Sequence, residues 1–206
     1  MKRSLTLIEL LAIALTIGLA VLMFLVPQKE YRHDLVVVAF GDSLTVGHGV
    51  PPGKNFVVYL SEYTDIPIIN AGVTGDTTGE ALLRLQADVL DKKPNVVTVL
   101  LGGNDLLKGN SEEVVRANLK IIIREIKKIG AKVILIGGSK QLAPAFEMVF
   151  EKIAMEEKVA GYVPDVLRGM LLRKDLLFDD IHPNDRGHKI IAERILPTLE
   201  RVLKEQ

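Results

Sequence analysis

Short apolar runs alternate with longer amphipathic segments along most of this chain. The short runs are rich in β-branched residues and carry little charge, which is typical of strands buried on both faces of a parallel sheet. Such runs lie at residues 35–40, 66–70, 95–101 and 132–137, and a shorter strand is expected at residues 161–163. The alternation predicts an α/β domain with a parallel sheet and right-handed crossovers.

The longer segments repeat apolar residues at intervals of three and four, the period of an amphipathic helix. The segment 111–129 is the clearest, since Ser111 is suited to cap its start and Gly130 to end it. Its apolar positions are Val115, Leu119, Ile122, Ile126 and Ile129. Further helices are predicted at residues 55–62, 79–90, 145–159 and 185–203.

Residues 5–26 form a different kind of segment, which is apolar throughout except for Glu9. As a helix it would be about 33 Å long, enough to cross a hydrocarbon core of about 30 Å. Because it is apolar on all faces, a buried soluble helix is disfavoured. We expect an uncleaved N-terminal membrane anchor. Lys2 and Arg3 favour a cytoplasmic amino terminus and place the rest of the chain outside the cytoplasm.

Two alternatives remain for this segment. Gly18 and Ala20 are small residues at which a signal peptide could be cut, which would leave a secreted protein. The run Leu5-Thr6-Leu7-Ile8-Glu9-Leu10 resembles the leader of type IV pilin-like proteins, in which a cut would follow Ser4. That resemblance implies an assembly role for the helix, and a catalytically idle adaptor is the corresponding alternative for the whole chain.

Composition narrows the possible functions. Lys and Arg together number 26, as do Asp and Glu, and the resulting zero net charge disfavours a nucleic-acid partner. The chain has no cysteine, which excludes disulfides, thiol nucleophiles and metal sites with cysteine ligands. We divide the 206 residues into an anchor and linker at 1–34 and a single folded domain at 35–206.

Polar, glycine-rich loops follow the first three predicted strands. They are Gly41-Asp42-Ser43-Leu44, Gly72-Val73-Thr74-Gly75-Asp76-Thr77 and Gly102-Gly103-Asn104-Asp105. The carboxyl ends of parallel strands share one edge of the sheet, where α/β proteins build their sites. We therefore expect the three loops to meet at that edge.

Ser43 in the first loop is the candidate nucleophile, and a serine needs a base that is itself oriented by a third group. His182 is the candidate base, and Asp179 lies three residues before it, a spacing that can turn the carboxylate toward the imidazole. A tetrahedral intermediate also needs N–H donors for its oxyanion. Candidates are the backbone of Ser43 and of Gly75 and the side-chain amide of Asn104.

These loops, together with Asp179-Asp180-Ile181-His182-Pro183-Asn184, resemble the GDSL family of the SGNH hydrolase superfamily, in particular its bacterial lysophospholipase, thioesterase and arylesterase branch. The resemblance covers the chain from residue 35 onward, and Asp180 stands where the family commonly has glycine. It implies a three-layer α/β/α, flavodoxin-like fold. It also implies a serine esterase that hydrolyses acyl esters or thioesters without a metal or organic cofactor.

The same resemblance implies roles for individual residues. The catalytic triad would be Ser43, Asp179 and His182. The oxyanion hole would be Ser43, Gly75 and Asn104. Residues expected to support these loops are Asp42, Gly103 and Asp105. A divalent-metal interpretation of the last block is disfavoured, because its acidic residues are too closely spaced for a complete ligand set.

The expected substrate is a small-molecule or lipid acyl ester, with the membrane reached through the N-terminal helix. Residues 138–146 should shape the acyl pocket together with Leu106 and Leu107. His48 stands near the nucleophile loop and is expected to line the pocket as well. A carbohydrate or cell-wall O-acetylesterase with the same triad is the alternative within the enzyme class. Two further expectations concern packing: Met148 and Met155 in the core, and His188 at the surface.

Overall fold

The computed structural model describes residues 35–141 and 144–205. At its centre is a sheet of five parallel strands in the order β2-β1-β3-β4-β5. The strands are β1 (Val37–Gly41), β2 (Ile68–Gly72), β3 (Val96–Leu100), β4 (Lys132–Ile136) and β5 (Gly161–Val163). The predicted parallel sheet is confirmed, including its short fifth strand.

Helices connect the successive strands. They are α1 (Ser43–Val46), α2 (Phe56–Thr64), α3 (Thr78–Asp88), α4 (Gly103–Leu107), α5 (Glu112–Lys128), α6 (Pro144–Glu156) and α7 (Asp185–Lys204). Two 3-10 turns lie at Leu90–Lys92 and Lys174–Leu176. The predicted long helices are all present, with ends that differ from the prediction by a few residues.

Polar side chains cap the helices as their sequence pattern indicates. Asn55, Ser111 and Asn184 each accept a backbone N–H in the first turn of α2, α5 and α7, respectively. Thr77 and Glu80 form a reciprocal capping box at the start of α3. These contacts satisfy N–H groups that the first turn of a helix leaves without an intrahelical partner.

The helices cover both faces of the sheet and give three layers. Ala39 and Ile134 point to one face, where they pack with residues of α2 and α7. The neighbouring strand residues Phe40 and Leu135 point to the other face, where they pack with α3, α5 and α6. Because successive side chains of a strand alternate between faces, each central strand is buried on both sides, as predicted.

The second strand differs from its prediction. It was expected at residues 66–70 and buried on both faces, but β2 spans Ile68–Gly72, and its side chains at Ile69 and Asn70 are exposed. The reason is its place in the sheet: among the strands that the structure describes, β2 is at the edge and pairs with β1 alone.

Two packing expectations are wrong. His188 is fully buried, with its ring stacked on Phe56. Met148 and Met155 are exposed, because the face of α6 that meets the sheet is formed by residues such as Phe150 and Ile153. Spacing by seven places both methionines on one helix face, and the buried face is a different one.

The predicted membrane anchor at residues 5–26 lies outside the described residues. Within residues 35–141 and 144–205, no helix is both long and apolar enough to cross a membrane. The chain separates into two units between residues 32 and 33, and the fold described here belongs to the second.

Candidate active site

Ser43 follows the carboxyl end of the interior strand β1, as the first residue of α1. Asp42 precedes it as the helix cap, and its carboxylate accepts the N–H of Leu44 at 3.0 Å. The tight turn needs glycine at position 41, where a Cβ would lie 2.1 Å from Oγ1 of Thr45 and 2.6 Å from the Leu100 carbonyl oxygen. The turn thereby brings the Ser43 hydroxyl to the edge where the strands end.

His182 lies in the loop that leads into α7, and residues before and after it in this loop are hydrogen-bonded to each other. Leu177 and Pro183 form an antiparallel bridge, and the N–H of Phe178 donates to the carbonyl of His182 at 2.8 Å. The amide of Asn184, the cap of α7, donates to the Leu177 carbonyl at 3.3 Å. These bonds fix the backbone from which the imidazole projects.

The structure brings Ser43, His182 and Asp179 together in one hydrogen-bonded chain. Nε2 of His182 lies 3.1 Å from Oγ of Ser43, and its Nδ1 lies 2.8 Å from Oδ2 of Asp179. Oδ1 of Asp179 accepts the backbone N–H groups of Ile181 and His182 at 2.9 and 2.7 Å. An imidazole between a serine hydroxyl and a carboxylate is the arrangement in which serine becomes a nucleophile.

The two carboxyl groups nearest His182 have opposite pKa shifts. Partial burial acts to raise the pKa of Asp179, but the backbone N–H groups of Ile181 and His182, and then the imidazole, lower it to about 2. Burial raises the pKa of Asp42 to about 7, against the lowering effects of the Leu44 N–H and of His182. Asp179 is therefore the carboxylate that is ionised across the neutral range.

The expected oxyanion donors occupy the two neighbouring loops. Asn104 lies in α4, and its side-chain amide donates to the Asp76 carbonyl at 2.9 Å, with a longer contact of 3.5 Å to Asp42. Gly75 directly precedes Asp76 and has a φ of +86°, a conformation that favours glycine. Gly103 begins α4 beside the Asp42 carboxylate. The structure thus links Asn104 to both other loops.

Asp105 fastens the second loop to the third. It is fully buried and accepts both the N–H and the hydroxyl of Thr78, at 2.7 and 2.9 Å. It also accepts the amide of Asn110 at 3.1 Å. The expected supporting residue thus lies in α4 and joins this helix to the start of α3.

Arg84 on α3 is a supporting residue that the sequence analysis missed. Its guanidinium donates to the Gly41 and Ala71 carbonyls, both at 2.9 Å, and to Asp76 at 2.5 Å. It also lies over the ring of Phe40. An arginine on a predicted amphipathic helix suggests a solvated face, so local sequence gave no signal that Arg84 joins the first loop to the second.

An apolar cavity of about 120 Å³ adjoins Ser43 and His182. Its polar lining includes Ser139 and the buried carboxylate of Glu147. Glu147 accepts the Tyr162 hydroxyl and the Asp165 N–H. The apolar lining residues are Leu44, Leu100, Leu101, Leu106, Leu107, Phe150, Leu167 and Ile181.

The pocket agrees with the sequence expectation in part. Leu106, Leu107, Gly138 and Ser139 line it as expected, whereas Leu142 and Ala143 lie outside the described residues. His48 does not line this cavity; its exposed ring lies 4.5 Å from the ring of His182, centroid to centroid.

Fold and site together define a class of protein. A parallel, three-layer α/β domain presents a serine, a histidine and a carboxylate at the carboxyl edge of its sheet, beside an apolar pocket. Sites of α/β proteins form at this edge, and these are the groups of a serine hydrolase.

Comparison with known proteins identifies the family. Residues 39–190 match the model of the GDSL-like lipase/acylhydrolase family, and the chain belongs to that family. It is 32% identical to esterase TesA of Pseudomonas aeruginosa, over 92% of this chain and 99% of that protein. It is 27% identical to thioesterase 1/protease 1/lysophospholipase L1 of Escherichia coli K12, over 80% of this chain and 83% of that protein.

A solved structure agrees with these sequence comparisons. AlinE4, an esterase of the SGNH hydrolase family, superimposes with a TM-score of 0.65 at 34% identity, over 83% of this chain and 96% of that one. The resemblance inferred from the four sequence blocks is therefore confirmed. The chain is a hydrolase of this family.

Proposed function

We propose that this protein is a serine esterase that hydrolyses acyl esters or thioesters through Ser43, His182 and Asp179. The observation that carries the proposal is the continuous hydrogen-bonded chain from the Ser43 hydroxyl through His182 to Asp179. The esterase names of its relatives support the same conclusion.

The geometry supplies each proton transfer of an ester hydrolysis. Oγ of Ser43 attacks the acyl carbonyl while Nε2 of His182 takes the hydroxyl proton, and Asp179 stabilises the resulting imidazolium. The tetrahedral intermediate collapses, and His182 gives the proton to the leaving alcohol or thiol. Water, deprotonated by the same imidazole, then attacks the acyl-serine and releases the acid and the free serine.

Oxyanion stabilisation in this proposal comes from Ser43, Gly75 and Asn104. The N–H of Ser43 lies in the first turn of α1, where helix N–H groups have no intrahelical partner. The Asn104 amide is already oriented by its bond to Asp76. Donors held in place before the reaction stabilise the developing charge without reorganisation, and losing one typically costs about 100- to 1000-fold in rate.

The experiment that tests the triad measures hydrolysis of a chromogenic short-chain ester by the full chain in detergent. Ser43→Ala and His182→Ala should each lower kcat by at least about 1000-fold. Asp179→Asn should lower it about 10,000-fold, because it leaves the imidazole without its ionised partner. The matched controls are Ser61→Ala and Asp180→Asn, which should keep wild-type rates. Wild-type activity in Ser43→Ala would refute the proposal.

The pocket favours an acyl chain longer than acetyl. Its volume of about 120 Å³ approaches that of an engineered apolar cavity of about 150 Å³ that binds benzene. An acyl chain a few carbons longer than acetyl fits a space of this size, and still longer chains would reach the exposed side chains of Leu107 and Ile181 at its rim.

A series of p-nitrophenyl esters from acetyl to dodecanoyl tests this substrate class. We expect kcat/KM to rise from acetyl to hexanoyl, because each buried methylene contributes roughly 0.8 kcal/mol. A strict preference for acetyl would instead favour the alternative of a carbohydrate or cell-wall O-acetylesterase. A lysophospholipid measured alongside the series would show whether lipid esters are substrates.

We also propose that residues 5–26 anchor the enzyme to a membrane, with the hydrolase domain outside the cytoplasm. Support comes from the apolar length of this segment and from Lys2 and Arg3 before it. Secretion after signal cleavage is the alternative. An idle adaptor is disfavoured, since the serine, histidine and carboxylate keep hydrogen-bonding distances suited to catalysis.

A further inference from the structure

His48 lies beside the triad without belonging to it. It follows α1 in the chain, is exposed, and stands with its ring centroid 4.5 Å from that of His182 and 6.1 Å from that of Phe178. The ring planes of the two histidines are inclined by 52°, so they do not stack in parallel. Two imidazoles this close can direct nitrogen lone pairs at a common point.

Asp179 completes a set of possible metal ligands. One ligand atom each from His48, Asp179 and His182 can be chosen so that all three atoms lie within 4.8 Å of one another. Two ligand atoms bound to the same tetrahedral Zn²⁺ at about 2.1 Å are about 3.4 Å apart. The separation of up to 4.8 Å must therefore shrink by up to about 1.4 Å, which rotation of the exposed His48 and Asp179 side chains can provide.

The donor types select the metal. Two imidazoles and one carboxylate, completed by water, form a set that suits Zn²⁺ and related transition metals, whereas Mg²⁺ and Ca²⁺ prefer oxygen ligands.

We propose that His48, Asp179 and His182 form an inhibitory site for a divalent transition metal of the zinc class. The inhibition follows from the chemistry of His182. A metal on Nε2 occupies the lone pair that would accept the Ser43 proton. A metal on Nδ1, inserted between the ring and Asp179, leaves the imidazole proton on Nε2, which then cannot accept the Ser43 proton. In either case Ser43 loses its base until the metal leaves, so inhibition is reversible and involves no bond to Ser43.

The first test titrates Zn²⁺ against ester hydrolysis by the full chain in a buffer that does not bind metals. Wild type should lose activity at micromolar Zn²⁺ and recover it with EDTA. His48→Gln should keep its basal activity and need at least about tenfold more Zn²⁺, since a metal site that loses one ligand binds more weakly. Asp180→Asn, an adjacent carboxyl outside the set, should respond like wild type. Mg²⁺ should have no effect.

The second test separates metal binding from catalysis. Calorimetric titration of Zn²⁺ into the full-length Ser43→Ala variant should show one binding site, and adding His48→Gln to that variant should weaken it by the same factor as in the activity assay. If the wild type hydrolyses no ester at all, this measurement still decides the metal proposal. Equal inhibition of wild type and His48→Gln, inhibition by Mg²⁺, or no Zn²⁺ binding would overturn it.

Discussion

Asp42 and His188 are two buried ionisable residues whose pKa values are shifted in opposite directions. Burial raises the pKa of Asp42 from 3.8 to about 7. Burial lowers the pKa of His188 from 6.5 to about 4, and its Nε2 has no hydrogen-bond partner among the residues the structure describes. Both residues therefore favour their neutral forms in the folded chain, and each makes stability depend on pH with its own sign.

Asp42 makes the folded chain less stable as the pH rises. Between pH 3.8 and 7 the folded chain holds a proton on Asp42 that the unfolded chain has released, so the free energy of unfolding falls by up to roughly 4 kcal/mol. For His188 the unfolded chain holds the extra proton between pH 4 and 6.5. The free energy of unfolding therefore rises with pH, by up to roughly 3 kcal/mol.

Urea unfolding of Asp42→Asn and His188→Asn between pH 4 and 7 tests this pair. The stability of Asp42→Asn relative to wild type should increase with pH, because the variant lacks the carboxyl group whose raised pKa destabilises wild type as the pH rises. The stability of His188→Asn relative to wild type should decrease as the pH rises. Asparagine is chosen because its amide oxygen can still accept the Phe56 N–H that His188 accepts at 3.4 Å. Parallel pH profiles in all three proteins would contradict the assigned pKa shifts.

At the residue scale, the sequence identified the residues that belong to short local motifs. Ser43, Asp179 and His182 were found from the type and spacing of residues in short loops, and the structure joins them. Arg84 and Glu147 could not be found in this way, because their partners lie far along the chain. His188 was misplaced because its burial depends on how α7 packs against α2, with the His188 ring against Phe56.

At the scale of elements, the loops of the site depend on α3 as much as on the strands. Arg84 ties this helix to the carbonyls of Gly41 and Ala71, while Thr78, its first residue, is held by Asp105 of α4. The helix therefore sets the distance between the loop of Ser43 and the loop of Gly75.

Replacing Arg84 by methionine removes the hydrogen bonds to the Gly41 and Ala71 carbonyls and keeps an unbranched apolar side chain. We expect Arg84→Met to lower kcat by about 10- to 100-fold with little change in KM, because small shifts of oxyanion donors cost transition-state stabilisation more than substrate binding. Arg116→Met on α5 is the control, since Arg116 forms an exposed ion pair with Glu156 away from these loops. Steady-state kinetics well below the unfolding temperature would show equal kcat values if α3 has no such role.

The long helices and the strands, including the short β5, were predicted from the sequence, whereas the two shortest helices were not. The spacing of apolar residues by three and four, together with the Ser111 cap, predicts α5. The predicted apolar position Ile129, just after this helix, is exposed. The helices α1 and α4, of four and five residues, are too short to show a period. The position of β2 at the edge of the sheet follows from strand order, which no single segment encodes.

At the scale of the whole molecule, the chain combines a hydrolase domain with the apolar segment at residues 5–26, for which we propose a membrane anchor. We expect the full chain to sediment with membranes and to need detergent for release, because residues 5–26 are long enough to span a bilayer. A chain lacking residues 1–34 should remain in the supernatant and retain ester hydrolysis. Fractionation followed by an esterase assay checks both expectations, and a full chain released by salt alone would contradict the anchor.

The central claim is that Ser43, activated by His182, is the nucleophile of an esterase. The most direct measurement treats the full chain with a fluorophosphonate ester and locates the covalent adduct by peptide mass spectrometry. We expect one adduct, on Ser43, formed in step with the loss of ester hydrolysis and absent from Ser43→Ala. An adduct on another residue, or full hydrolytic activity in a chain labelled at Ser43, would contradict it.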